Sequence, residues 1–421
     1  MIAVYLLGQW QSLFRRRALM NFYPVWPIPC LVLVAVLVAR VPYARRFLID
    51  APSNSASRAG TLDGLRGFLS IGVFIHHFSM MRGYLENGMW APPPSGVYTL
   101  LGQVSVALFF MITGFLFWGK LIDTNGAPGW TKLYIGRVFR IGPLYLVVVT
   151  AMIGIVFANT GFVINDSWRT LIGTIGTWLC LGMLSGHPDI NGYLNTRIVI
   201  AGVTWTLHFE WMFYLALLPM SLFAKSRRHL AFAVLGYASC LAGAAIAPRA
   251  LFTFGSLFFA GMTSASLCRT YDLGALRGRV ISIVPIIALG TVFVSFDDGY
   301  SVVPILLLTV FFIFVASGNS LLGMLLSSSV HRLGCMSYSV YLMQGLLITT
   351  AFFEPSVRLF ALASPLQYWG VCLVTLVALL VCSAVTYVAI EKPGIALNHR
   401  VRRFALSHRF GRRGLRRHTT I

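Results

Sequence analysis

Residues 62–78, LDGLRGFLSIGVFIHHF, carry an acid, a guanidinium and two imidazoles within a mostly apolar run. Ionisable groups at membrane depth are expensive, and they normally face a protein interior or a wet cavity. On an α-helix, Arg66 and His77 differ by about 20° in direction and therefore share one face. His76 differs from Arg66 by about 80°, so we expect it to point elsewhere. Asp63 lies one turn before Arg66 and is placed to hold its guanidinium.

These residue types suit acyl transfer. An imidazole can act as a general base, and a nearby cation can stabilise an oxyanion. His77 lies about 16 Å beyond Arg66 along a helix. That distance is comparable with the extended pantetheine arm of coenzyme A, so a thioester donor would place its phosphates near inner cations and its acyl group near His77. A buried structural ion pair beside a core histidine is the alternative that this stretch leaves open.

A second run, residues 202–219 (GVTWTLHFEWMFYLALLP), places Glu210 in the middle of an apolar helix. Aromatic residues flank it, and we expect Trp205 and Tyr214 to line a substrate cavity. A lone intramembrane carboxylate needs a partner, and the arginine or histidine of the first stretch is the first candidate. Beside the imidazole, a carboxylate would raise its basicity, as a general base acting on a hydroxyl requires. A structural brace between glutamate and arginine is the alternative.

Two further segments carry polar groups at helical spacing. Arg137 and Arg140 share a helix face just before an apolar run, and two cations there suit a phosphate-rich donor such as coenzyme A. Topology alone would also place cations at that point. In residues 333–347 the polar side chains at i,i+3 and i,i+4 spacing would line the same cavity or bond between helices. They are Ser337, Tyr338, Tyr341 and Gln344.

The composition indicates the elements that must position these residues. Apolar residues make up 57% of the 421-residue chain and charged residues only 11%, whereas a soluble chain carries about 25% charged residues. Long apolar runs recur along most of the sequence, and each can cross a bilayer. The sequence therefore predicts an all-α polytopic membrane protein. The net charge of +21 does not indicate nucleic acid, because the cations lie between apolar runs and in the tail, where topology determinants lie.

We predict ten core transmembrane helices, near 61–81, 97–119, 141–163, 200–223, 229–247, 250–268, 280–296, 301–317, 335–353 and 367–390. The loops decide the topology, because cytoplasmic loops carry an excess of Lys and Arg. All cation-rich loops lie on the same side of the membrane only if another apolar run, near 168–185, does not span it. Residues 164–199 then form an outer excursion that is re-entrant or interfacial, and both ends of the core are cytoplasmic.

The chain divides into three parts around this core. Residues 1–60 hold an extra apolar segment of open topology, followed by a basic cytoplasmic linker. Residues 61–395 form the membrane domain, and residues 396–421 form a basic cytoplasmic tail with eight arginines. That tail suits anionic lipid headgroups, or it merely fixes orientation. The seven cysteines lack CxxC spacing, which argues against a disulfide frame or a zinc site, and we expect no metal.

Together these segments resemble the acyltransferase 3 family of integral membrane acyltransferases, over about residues 60 to 395. The family's LDGLRG-like start, with a histidine eleven residues after its arginine, matches Arg66 and His77. Its FFxxSGF motif resembles residues 109–115 with Thr113 for serine. Three other motifs follow in the same order. RxxRIxPLY matches Arg137, Arg140, Pro143, Leu144 and Tyr145; WSLxxExxFYLxxP matches Trp205, Leu207, Glu210, Phe213 and Tyr214; SYxxYLxH matches Ser337, Tyr338, Tyr341 and Leu342.

The resemblance implies O-acylation of an extracytoplasmic carbohydrate or glycoside, often a bacterial surface polysaccharide, at the bacterial inner membrane. The donor would be a cytoplasmic acyl-CoA acting as co-substrate, with no bound cofactor. Arg66 and His77 would be the essential pair, and Arg137 and Arg140 would bind the donor. Gln344 replaces the family's histidine, which puts an acid or base role at that position in doubt.

The hypothesis is therefore a membrane O-acyltransferase for acetyl or succinyl groups. His77, supported by Glu210 or Asp63, would take the proton from a sugar hydroxyl that attacks the thioester, and Arg66 would stabilise the oxyanion. A covalent acyl-histidine relay stays open. A transporter or flippase of a lipid-linked or acylated glycan would also need intramembrane charges, but the internal repeats common in transporters are absent from the sequence. A non-catalytic scaffold is the third reading. The sequence gives no oligomeric state.

Overall fold

The computed structural model describes residues 22–41, 58–225 and 228–397. Most of the predicted linker, the basic tail from residue 398 and residues 1–21 lie outside this part of the chain. The described residues are helical, and an isolated bridge between Ile190 and Tyr193 is their one β-type pairing. The predicted all-α class is confirmed.

Fourteen α-helices follow one another in the described residues. They are α1 (Pro27–Val38), α2 (Arg58–Asn87), α3 (Gly96–Asp123), α4 (Trp130–Asn159), α5 (Trp168–Leu179), α6 (Trp205–Ala224), α7 (His229–Ile246), α8 (Ala250–Thr270), α9 (Ile283–Ser295), α10 (Val302–Ser317), α11 (Ser328–Cys335), α12 (Ser337–Ala351), α13 (Pro355–Ala363) and α14 (Pro365–Thr386). A π-helical turn, Tyr387–Glu391, extends α14, and helix continues to Leu397.

Six of these helices are long and apolar enough to cross a membrane: α3, α4, α6, α7, α8 and the stretch from Pro365 to Leu397. The pair α12 and α13, bent by 96°, would make a seventh. Helices stand at all ten predicted positions, but the count of ten is not confirmed. The helices α9 and α10 are short, and the ionisable groups of α2 lower its hydropathy.

The cation-rich loops lie together on one side of the bundle. Arg269, at the end of α8, donates two hydrogen bonds of 2.7 Å to Asp123 at the end of α3. Arg277 donates to the Ser317 carbonyl at the end of α10. Thr61, near the start of α2, also contacts the end of α10 through the Val315 carbonyl. We call this the cation-rich side, and its arrangement agrees with the loop assignment made from sequence.

The extra N-terminal segment runs between the two sides. At one end, Trp369 donates to the Phe22 carbonyl and Tyr98 donates to the Pro24 carbonyl. At the other end, Arg332 of α11 donates to the Ala39 carbonyl at 2.7 Å. Residues 22–41 therefore pass alongside α2 and α14 from the cation-poor to the cation-rich side.

The excursion after α4 starts and ends on the cation-poor side. Within it, the Trp178 carbonyl of α5 accepts a hydrogen bond from Tyr145, near the middle of α4. The Leu181 carbonyl accepts from Trp211 of α6, while Asn191 donates back to the Val163 carbonyl. The segment thus packs against α4 and α6 and returns to the end of α4.

Glycines allow the central helices to approach closely. A Cβ atom on Gly261 of α8 would lie 2.0 Å from the Met111 carbonyl oxygen of α3, and one on Gly114 would lie 2.2 Å from the Phe258 carbonyl oxygen. Small residues at such crossings let backbones pack directly, which drives helix association in lipid. The contact between α3 and α8 therefore depends on glycine at both positions.

We predict that Gly261→Ala destabilises the protein, because the added methyl group meets backbone atoms that cannot rotate away. Overpacking of this kind costs about 1–3 kcal/mol. Gly154→Ala, where an added Cβ meets nothing within 4 Å, is the matched control and should leave stability within about 0.5 kcal/mol of wild type. Thermal unfolding of the purified proteins measures both, and equal melting temperatures would contradict the close-packed crossing.

Candidate active site

A cavity of about 600 Å³ opens among α2, α3, α4, α6 and α12. It lies at the cation-rich side, since the end of α3 and the start of α4 form part of its wall. Its apolar wall comes from α3 and includes Phe109 and Phe110. Its charged lining residues are five cations and one carboxylate, Arg66, Lys120, Lys132, Arg137, Arg140 and Glu210. The cavity is therefore strongly positive.

Arg66 reaches the cavity from the third turn of α2. Its guanidinium lies 3.6 Å from the Asp63 carboxylate at i,i+3, as the helical spacing predicts. Gly64 and Gly67 bring this turn of α2 against the backbone of residues 325 and 330. The arginine is thus held at the cation-rich end of the helix by a local ion pair and by close packing.

Arg140 is held by a buried carboxylate from the other end of the chain. The Glu391 side chain is inaccessible to solvent and forms an ion pair with Arg140, while Ser339 donates a hydrogen bond of 2.8 Å to its Oε2. Glu391 ends the π-helical turn that follows α14. Because a π turn inserts a residue into the helical repeat, it sets the direction in which Glu391 points.

Three cations of the cavity form no ion pair with a carboxylate in the described part of the chain: Lys120, Lys132 and Arg137, the last of which interacts with Glu210 only at longer range. The Lys120 ammonium is subject to repulsion from the other two. The Arg137 guanidinium lies 4.9 Å from the centre of the Phe117 ring, which offers a weak cation–π contact. A cluster of like charges that repel one another is an arrangement that binds anions.

Glu210 contributes the single lining carboxylate. It accepts a hydrogen bond of 2.6 Å from Tyr214 one turn later on α6, and it interacts electrostatically with Arg137 and Arg66. Tyr134 of α4 donates to the Tyr214 carbonyl at 3.0 Å, which ties α4 to α6 beside the acid. Glu210 thus belongs to the same charged group as the cations.

The polar face of α12 forms another wall of the cavity. Ser337, Tyr338 and Tyr341 line it. Tyr338 donates to the Ile141 carbonyl at 2.8 Å, and the Tyr341 hydroxyl contacts the Val203 carbonyl and the Thr206 hydroxyl, each at 2.9 Å. These bonds join α12 to α4 and to the start of α6.

His77 lies beyond the cavity lining, further along α2. It keeps 8% of its surface accessible, and Trp90 stacks over its ring with centroids 6.1 Å apart. Trp90 comes from the loop between α2 and α3 on the cation-poor side. His76, adjacent to His77 in the sequence, points elsewhere, as the helical angle predicts, and its Nδ1 forms a hydrogen bond with the Tyr98 carbonyl at 2.8 Å. Gln344 of α12 interacts with His77 instead of lining the cavity.

The structure therefore brings together most, but not all, of the residues singled out from sequence. Eight line one cavity: Arg66, Arg137, Arg140, Glu210, Tyr214, Ser337, Tyr338 and Tyr341. Trp205 instead packs in an aromatic cluster with Phe110, Phe209 and Phe254.

The carboxylates expected beside the histidine lie elsewhere. Within the described residues, Glu210 and Asp63 form no hydrogen bond or ion pair with His77. The reason is distance along α2, since Asp63 precedes His77 by fourteen residues, or about 21 Å of helix. Both acids interact with Arg66 instead, so the support that we expected them to give the imidazole is not seen among the described residues.

Three features were missed or undervalued from sequence. From the sequence, Glu391 marks only the end of the last predicted span. No local pattern predicts that a π turn directs its side chain towards Arg140. Lys120 and Lys132 read as topology determinants, although they line the cavity. Trp90 stands in a loop of unremarkable composition, and only the tertiary fold places it over His77.

We predict that Glu391→Gln lowers stability by about 3 kcal/mol, because it leaves Arg140 in a buried pair without its counter-charge. The amide keeps the shape and can still accept the bond from Ser339, so the variant isolates the charge. Asp123→Asn is the control: Asp123 also pairs with an arginine but keeps 57% of its side-chain surface exposed, so its loss should cost under about 1 kcal/mol. Unfolding of purified variants tests this, and equal losses at both sites would refute it.

Comparison with known protein families identifies the fold. Residues 60–387 match the family model for the acyltransferase domain of acyltransferase 3 type. No match was found among curated proteins or among solved structures. The match covers most of the chain and includes every residue that lines the cavity except Ile395. With its apolar spanning helices, the chain belongs to the acyltransferase 3 family of membrane acyltransferases.

Proposed function

We propose that this protein is an inner-membrane O-acyltransferase that moves a short acyl group, acetyl or succinyl, from cytoplasmic acyl-CoA to a hydroxyl of an extracytoplasmic carbohydrate or glycoside. The observation that carries the proposal is the cavity in which Lys120, Lys132 and Arg137 form no ion pair with a carboxylate of the described residues. A polyanionic ligand would compensate these charges, and coenzyme A supplies phosphates together with a thioester.

Topology supports a cytoplasmic donor. Cytoplasmic loops of membrane proteins carry the excess of Lys and Arg, so the cation-rich side on which the cavity lies is assigned to the cytoplasm. Both ends of the core would then be cytoplasmic, in a bacterial inner membrane. The ten-span arrangement, with the re-entrant segment outside, is the topology that we propose.

The geometry of α2 links donor to acceptor. Arg66 lines the cavity, and His77 lies about 16 Å further along the same helix, towards the cation-poor side. A donor with its phosphates among the cavity cations would extend its pantetheine arm along α2 and present its thioester near His77. Trp90 comes from the opposite side, so an acceptor would approach the histidine from outside by displacing that loop.

The proposed reaction is a direct transfer. The His77 imidazole takes the proton from the acceptor hydroxyl, whose oxygen forms a bond to the thioester carbonyl carbon. Arg66, or a backbone donor near the thioester, stabilises the oxyanion. The C–S bond then breaks, and the imidazolium returns its proton to the leaving thiolate, which releases free coenzyme A and the ester. An acyl-histidine relay remains the alternative route for the same overall reaction.

We predict that His77→Ala lowers acyl transfer by about 10²- to 10⁴-fold, the contribution of a general base, while the protein still folds in membranes. The matched control is His76→Gln, which alters the adjacent imidazole bonded to Tyr98 and should keep transfer within a few-fold of wild type. Mass spectrometry of surface glycans and secreted glycosides measures the product in wild-type, deletion and complemented cells.

Loss of a mass increment of one acyl group in the deletion and His77→Ala cells would support the proposal and name the acyl chain and acceptor. Normal acylation in His77→Ala cells would refute the role of the histidine. Unchanged acylation in deletion cells, with a lipid-linked sugar accumulating inside, would favour a transporter or flippase.

A further inference from the structure

Two buried polar atoms beyond the cavity lack a hydrogen-bond partner in the described residues. Nδ1 of His77 has no hydrogen-bond partner, and neither has Oε1 of Gln344. The Gln344 side chain lies close enough to His77 to act on its imidazole as a neighbouring polar group, although the contact falls short of a hydrogen bond. Unpaired buried polar atoms are costly, and each calls for an explanation.

The orientation of the Gln344 amide is fixed by a third residue. Its Nε2 donates a hydrogen bond of 2.8 Å to the Tyr341 carbonyl one turn earlier on α12. A carbonyl oxygen can only accept, so the NH₂ end of the amide must face it. Oε1 is then the end left for His77, and Oε1 can also only accept.

A hydrogen-bond acceptor beside Nδ1 selects one tautomer of the neutral imidazole. If Oε1 accepts from Nδ1–H, the proton of the neutral ring lies on Nδ1 and the lone pair on Nε2. Nδ1 is buried, whereas His77 as a whole retains 8% of its accessible surface. Because Nδ1 is buried and would be occupied by this bond, Nε2 is the ring nitrogen left for a substrate.

The other neighbours of His77 do not compete for this role. His76, on the same helix, is the titratable group that interacts with it, and its Nδ1 is already bonded to the Tyr98 carbonyl. Trp90, from the loop on the cation-poor side, covers the ring face. Among the described residues no carboxylate pairs with His77.

We propose that Gln344 is the positioning residue of His77: its Oε1 accepts from Nδ1–H and holds the ring in the tautomer whose Nε2 takes the proton of the acceptor hydroxyl. The inference rests on the proposed function, because it assigns a partner to the proposed base. A neutral amide fixes the tautomer without adding the charge of a carboxylate. The position that departs from the family's histidine motif is thereby given a role that needs no acid or base.

The test compares two substitutions at this position in purified full-length protein with acyl-CoA and the acceptor identified by mass spectrometry. Gln344→Met keeps the length of the side chain and removes both amide groups. We expect kcat to fall about 10- to 100-fold, a part of the contribution of a general base, with KM for the donor within about twofold because the donor cavity is unchanged. Gln367→Met, at the distant start of α14, is the control and should match wild type.

Gln344→Glu places a carboxylate beside the ring and favours the protonated imidazolium. A base must be deprotonated to act, so the rise of kcat/KM with pH should move to higher pH by about one unit. If the side chain at position 344 did not lie against the ring, the introduced charge would not move this limb. Gln344→Glu also decides the case if Gln344→Met fails to fold.

A wild-type kcat in Gln344→Met, or an unmoved pH limb in Gln344→Glu, would overturn the inference while leaving the proposed function intact if His77→Ala is inactive. Activity in His77→Ala would instead show that His77 is not the base. A residue that positions it would then have no role in the reaction. The two failures are therefore distinguishable.

Discussion

The cost of placing charge in an apolar membrane interior governs the arrangement of this protein. Each buried cation needs a counter-charge or access to water, and the chain supplies both. Arg66 is paired with Asp63 within one helix turn, and Arg140 is paired with Glu391 from the far end of the domain. Lys120, Lys132 and Arg137 lie around an open cavity at the cation-rich side, where water or an anionic ligand can reach them.

The same constraint separates two parts of the proposed reaction path. The charged groups of the cavity gather at one end of α2, and His77 lies about three turns further along, where no carboxylate of the described residues pairs with it. Glu391 and the π turn matter because they fix an arginine of the charged end. Trp90 and Gln344 matter because they enclose the imidazole at the other end. Helix α2 connects the charged end to the imidazole, and its glycines allow it to pack closely against α11.

Sequence reasoning recovered what is local and periodic. The all-α class, the helix positions and the ion pair between Asp63 and Arg66 follow from hydropathy and from 3.6-residue spacing. Long-range placement could not be predicted in this way. Glu210 could have reached either end of α2 from its own helix, and only the packing of α6 against α3 places it beside Arg66. The direction of Gln344 depends likewise on its bond to the Tyr341 carbonyl and on where α12 crosses α2.

The central claim is that the cavity cations bind the phosphates of a coenzyme A thioester. Its most direct test is calorimetric titration of coenzyme A into the purified protein in nanodiscs, with Lys120→Gln and Lys132→Gln beside Arg279→Gln, a same-side cation outside the cavity lining. A hydrogen bond to a charged group contributes about 1.5–3 kcal/mol, so each cavity substitution should weaken binding by about tenfold or more, and the control should not. Equal affinity in all four proteins, or no binding to wild type, would contradict the account.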